Sequence, residues 1–354
     1  MKERCVYLEL LRVISIFSVV IVHITAVGLS KYDLGSFNWN VSMCYNSISR
    51  WGVPVFFMIS GACFLDIKKS IDVKTMFRKY IMPIVILLVF WGIFYYFFDL
   101  WLYPPQGGVE IKHILLSVVS VVSGKSGYHL WFLYTILALY LIVPVLQKLV
   151  LIMDRAMWRY LIVIFFIFGM VVKTFNALTA LFPKISFLHI GLELICFTDY
   201  SMCFLLGYFL NHYGINSKII RRMLYIAASA GLVIMPLGNC VLSLYTGQEI
   251  MVLSDNTGIF NTLLAVAIFI FIKRLEPKLQ TAKSRDIYLI VGKCTLGIYV
   301  LHVAINSLLF HKLNFSYDLI NPIFSILIYG LLIFIISGIL TFVLKKIPIV
   351  QKLV

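Results

Sequence analysis

Three ionisable side chains interrupt an otherwise apolar run near the start of the sequence, VYLELLRVISIFSVVIVHITAVGL: Glu9, Arg12 and His23. Imidazole can take up a proton near neutral pH, and guanidinium can hold a phosphate or carboxylate through two parallel hydrogen bonds. Both are costly in hydrocarbon, so in a membrane-crossing helix each must face protein or water. Eleven residues separate Arg12 from His23, which at ~100° per residue returns to within ~20° of the same face after a rise of ~16 Å. One stripe of the helix can therefore address a long ligand lying along its axis, with Arg12 in the inner third and His23 in the outer third. The alternative is local: Glu9 and Arg12, at i and i+3, form a structural pair, and His23 is an interfacial residue.

Further candidates recur along the chain. Lys293, Tyr299 and His302 lie in a late apolar run, with His302 about fifteen residues from its inner end and so at a depth similar to His23. Lys293, like Arg12, lies inward of the histidines. Arg50, His129, Glu193 and Asp199 are polar groups expected near the outer face. Trp131 offers a flat face on which a sugar can stack, although an interfacial aromatic belt also accounts for a Trp there. A basic loop holds Lys68, Lys69, Lys74, Arg78 and Lys79. The seven cysteines show no Cys/His spacing of a metal site, and no metal is expected.

The elements that position these groups follow from composition. The 354 residues are 62% hydrophobic and only 13% charged, with a mean hydropathy of +0.99, more apolar surface than a soluble core of this size can bury. Lipid must solvate much of it. Apolar runs of ~20 residues without alternation indicate helices rather than a barrel. The expected class is an all-α integral membrane bundle of about ten transmembrane helices in one domain, residues 1–354. Spans are expected near 6–29, 47–65, 80–101, 129–147, 157–175, 197–212, 222–245, 258–272, 287–309 and 321–344. The first run has no small-residue cleavage site and is expected to stay as a span. Between the third and fourth, Ile111 to Val122 is too short to cross, and a re-entrant or surface-lying helix is expected.

The formal charge of +15 does not indicate a nucleic-acid partner, because the basic residues are distributed over alternate loops. With the N-terminus inside, the outer loops and the outer end of the fifth span hold only Lys31, Lys112, Lys125, Lys173, Lys184 and Lys312 of the 30 Lys and Arg. That asymmetry follows the positive-inside rule and predicts both termini in the cytoplasm.

An Arg and a His with ten residues between them in the first span, followed by RWGVPVFFMISGACFL from Arg50, resemble the membrane-bound acyltransferase 3 family of bacterial O-acyltransferases. HLWFLYTILALYLIVPVL from His129, FLLGYFL from Phe204 and CTLGIYVLHV from Cys294 are similar to later family segments, in order, with Cys or Thr where Ser is common in the last. The resemblance implies a plasma-membrane enzyme that moves an acyl group, usually acetyl from acetyl-CoA but equally from another acyl-CoA, to a hydroxyl of a surface glycan or lipid-linked saccharide. Membrane lipids are then its other partners. Under that reading His23 is the general base and His302 orients the acceptor or stabilises the oxyanion. Arg12, Lys293, Arg78 and Lys79 bind the CoA phosphates, while Arg50, Trp131 and Tyr299 contact the acceptor. For the basic loop, the positive-inside anchor is the competing reading. At the level of function, a transporter or flippase for a glycan precursor competes, although no internal repeat supports it.

Overall fold

The computed structural model describes residues 5–66, 70–105, 110–192, 200–313, 315, 317, 321–348 and 350–354. Within these, the regular elements are helices, and nine are long and apolar enough to cross a membrane. α1 (Val6–Lys31) is followed by α2 (Phe37–Ser49) and α3 (Gly52–Phe64), which together make the second span. α4 (Val73–Leu102), α5 (Lys112–Val122), α6 (Trp131–Ile152) and α7 (Arg155–Thr179) come next. Then follow α8 (Tyr200–His212), α9 (Lys218–Thr246), α10 (Ile259–Arg274), α11 (Glu276–Thr281), α12 (Arg285–Ser307) and α13 (Pro322–Leu344). The sixth of the ten expected spans, 197–212, corresponds to α8, of which 13 residues, Tyr200–His212, are described. Residues 197–199, like Lys68, Lys69, Glu193 and Asp199, lie outside the described residues.

The second span begins about ten residues before the expected 47, and the cause is polarity hidden by burial. Ser36 caps α2 by accepting from the Trp39 amide, and Ser42, Asn46, Ser47 and Ser49 are all buried, against α1 and α9 rather than lipid. The break between α2 and α3 falls where Pro54 requires it. Proline lacks an amide hydrogen and its ring clashes with the carbonyl four residues back, here that of Arg50. Arg50 is thereby set at the corner of a bent span.

α1 runs through the middle of the bundle, packed on α2, α3, α10, α12 and α13. α3 and α8 approach most closely, because Gly61 and Gly207 face each other's backbones: a Cβ on Gly61 would overlap the Phe204 carbonyl, and one on Gly207 the Met58 carbonyl. Small residues at such a crossing let the helices pack through direct backbone contact. Gly207→Leu is therefore expected to lower the thermal midpoint and the yield of monodisperse protein, by an overpacking cost of about 1–3 kcal/mol or more. A surface glycine with open space around it and no left-handed backbone, Gly191, provides the control: Gly191→Ala should leave both unchanged.

The short α5 lies against α4, with Val121 fitted over Gly92 and the Ser126 hydroxyl donating to the Gly92 carbonyl. Ile114, Leu115, Val118, Val119 and Val122 stay exposed. As expected, it is a helix too short to span.

Candidate active site

A cavity of about 570 Å³ lies among α1, α3, α4, α6 and α12. Its charged side chains, imidazoles and polar aromatics near them form two groups, with Ser60, Thr295 and Tyr140 also in the lining. Arg12, Lys293 and Lys345 form one group, and His23, His129, Trp131 and Tyr299 the other. Along α1 the separation from Arg12 to His23 is ~16 Å, and along α12 that from Lys293 to Tyr299 is ~9 Å. The walls between them are mostly apolar, including Phe56, Leu133 and Ile136.

At the cationic end Arg12 Nη1 lies 2.7 Å from Glu9 Oε1, and Nη2 lies 3.7 Å from Cys63 Sγ. The local pairing and the cavity role thus coexist: Glu9 is buried, whereas 29% of the Arg12 side chain remains exposed. α12 can come this close to α1 because Gly292 leaves room for the Glu9 carboxylate. Lys345, at the end of α13, reaches across to donate to the Lys293 carbonyl and joins the lining. In the sequence nothing sets Lys345 apart from the other basic residues that flank apolar runs.

At the other end three imidazoles converge from three helices or their edges. The His23 ring centroid lies 5.1 Å from that of His302 and 6.3 Å from that of His129, and the latter two are 5.7 Å apart. His302 Nδ1 donates to the Tyr299 carbonyl at 2.7 Å and the Ile298 carbonyl at 3.1 Å. Those bonds assign the ring proton to Nδ1 and leave Nε2 as a lone-pair acceptor with no partner among the described residues. His302 does not line the cavity; it is 1% exposed and stands behind His23. His23 itself faces the cavity. Both His129 ring nitrogens are buried without a partner among the described residues, and one of them carries a hydrogen to donate.

Two tyrosines hold this cluster. Tyr299 donates to the His129 carbonyl, so it positions the loop before α6. Tyr95 of α4 donates to the Val300 carbonyl at 2.6 Å and accepts from the Ala304 amide at 3.2 Å. These two backbone groups bond directly in an undisturbed helix, so the hydroxyl is inserted into the ladder of α12 around His302. The Tyr95 ring also packs edge-on to His129 at 4.6 Å. No sequence signal singled Tyr95 out, because an aromatic residue in an apolar span reads as packing.

Arg78 and Lys79 are exposed on the wide turn Phe77–Ile81 of α4 and do not line the cavity. Arg50 lines a second, separate cavity. Among the described residues no cluster of His, Cys, Asp and Glu is arranged to hold a metal ion.

A family model described as an acyltransferase domain matches residues 6–342. Searches among curated proteins and among solved structures return no match.

Proposed function

The chain belongs to the acyltransferase 3 family, and from that premise we propose that it transfers an acyl group from cytoplasmic acyl-CoA to a hydroxyl of an extracytoplasmic or lipid-linked glycan. The observation that carries this reading is one cavity with cations at one end and imidazoles at the other. CoA is a polyanion, and Arg12, Lys293 and Lys345 offer three positive charges to its phosphates. Arg78 and Lys79, away from this cavity, serve as the positive-inside anchor and as a first encounter site for donor.

His23 removes the proton of the acceptor hydroxyl as that oxygen attacks the thioester carbonyl. The carbon–sulfur bond breaks as the tetrahedral intermediate collapses, and the His23 imidazolium returns its proton to the departing CoA thiolate. The products are an O-ester and CoA thiol, with atoms and charge balanced. A His129 ring N–H stabilises the oxyanion. His302 is a positioning residue: it stands 5.1 Å behind the His23 ring with a free Nε2 lone pair, which a small rotation of His23 engages during the reaction, so that the tautomer with its basic nitrogen toward the cavity is favoured. Trp131 supplies a stacking face for the sugar.

The full chain, purified in lipid nanodiscs, is expected to release CoA thiol from acetyl-CoA only when a glycan fraction is present, with a matching gain in mass of the glycan. Uptake of glycan precursor into sealed vesicles without thioester consumption would instead identify a transporter. The size of the mass gain distinguishes an acetyl from a succinyl donor.

A further inference from the structure

A second cavity, of about 350 Å³, lies at the expected outer end of the bundle, lined by Arg50, Lys173, Glu249 and Asp255 with backbone and small side chains of Thr174 and Gly258. Its charges are not equivalent. Lys173 lies 3.1 Å from Asp255 Oδ1 and 2.7 Å from the Thr257 hydroxyl, and Asp255 and Glu249 also act on Arg50 through space, without a hydrogen bond to it. Glu249 sits exposed at the rim. Arg50 is held by one edge only: its Nε donates to Asn46 Oδ1 at 2.8 Å, and both terminal nitrogens are without a protein partner among the described residues.

The anchor of that arginine leads directly to the reacting centre. Asn46 Nδ2 donates to the Val22 carbonyl at 3.0 Å and to Thr25 Oγ1 at 3.1 Å, bracketing His23 on α1. Separately, Trp131 of the first cavity packs on Tyr200 at 5.2 Å, and Tyr200 accepts from Asn256, next to Asp255. Two chains of contacts thus link the cavities, one through Arg50 and Asn46 to α1 beside His23 and one through Trp131 and Tyr200 to Asn256.

A fixed guanidinium with two free N–H-bearing nitrogens matches a carboxylate or phosphate, which accepts two parallel bonds. We propose that the Arg50 cavity is an oxyanion subsite, taking a carboxylate or phosphate carried by the acceptor beside the hydroxyl that is acylated. The proposal rests on the acyl-transfer reading for its placement, but binding can be measured without turnover. Two sources of the oxyanion are chemically equivalent here: an acidic sugar of the glycan, or the phosphate that links a sugar to its lipid carrier.

The test uses the purified full chain and three probes, methyl glucuronide, glucose 1-phosphate and the neutral methyl glucoside, with thermal stabilisation as the readout. The glucuronide or the phosphate is expected to stabilise at concentrations about tenfold below those needed for the glucoside. Preference for the glucuronide identifies an acidic glycan; preference for the phosphate identifies the lipid-linked ester. Arg50→Gln should abolish the preference and Arg50→Lys retain part of it, while Glu249→Gln, which removes a rim carboxylate, should strengthen binding of the anions. Stabilisation by acetyl-CoA, measured in parallel, reports folding and the donor end of the first cavity. Equal responses of the wild-type protein to all three probes would overturn the subsite, as would an anion preference surviving in Arg50→Gln. If the preference holds but acetyl-CoA gives no stabilisation, the subsite stands and the donor reading falls.

Discussion

His23→Ala is expected to lower acyl transfer by about 10²–10⁴-fold, the usual contribution of a positioned general base, while the protein still inserts and folds. The substitution removes a polar ring from a membrane span and creates no unpaired charge, so thermal stability should change little and acetyl-CoA should still bind. His302→Ala should cost less, because His302 does not touch the cavity and acts through His23. Its signature is a fall in kcat with KM for acceptor retained and a displaced pH profile, since His23 loses the neighbour that fixes its tautomer. Equal activity of His23→Ala and wild type at equal protein concentration would remove His23 from the mechanism. Full loss in His302→Ala with no change in His23→Ala would exchange their roles.

The parts of the fold that were legible in the sequence are those where lipid decides. α13 is apolar over its whole length, and its expected bounds of 321–344 agree with the helix Pro322–Leu344, because a helix that faces lipid must advertise itself in hydropathy. α2 does the opposite: Ser42, Asn46, Ser47 and Ser49 are buried against other helices, so no hydropathy window marks its start. The stripe from Arg12 to His23 was legible because helical geometry is local. What α12 brings to it was legible only in part. Tyr299 and His302 were identifiable as residue types, but that His302 stands behind His23 while Tyr299 faces the cavity depends on the rotation of one helix against another. Lys345 illustrates the same limit: its relation to Lys293 spans 52 residues and is set by the packing of α12 on α13. Arg78 and Lys79 lie on the exposed face of α4, away from the cavity, a placement that charge and spacing alone do not give.

Arg12 carries the second large effect, and two causes must be separated in it. The guanidinium neutralises Glu9, which is buried with only 3% of its side chain exposed, and it lines the cavity where CoA phosphate is proposed to bind. Removing one member of a buried pair leaves an uncompensated charge and costs about 3–5 kcal/mol. Arg12→Ala is therefore expected to lower both stability and donor use, and by itself it does not tell structure from binding. The double variant Glu9→Gln, Arg12→Gln removes both charges together and keeps hydrogen-bonding amides, so the thermal midpoint should recover most of its loss. Donor affinity should not recover. A charge-assisted hydrogen bond is worth about 1.5–3 kcal/mol, so KM for acetyl-CoA should remain about 10–100-fold above the wild-type value, with KM for acceptor little changed. Arg12→Lys should keep the Glu9 pair and the fold but restore donor affinity only in part, because an ammonium does not reproduce the planar fork. If the double variant regains donor affinity along with stability, Arg12 serves only to neutralise Glu9, and the donor end of the cavity is left to Lys293 and Lys345.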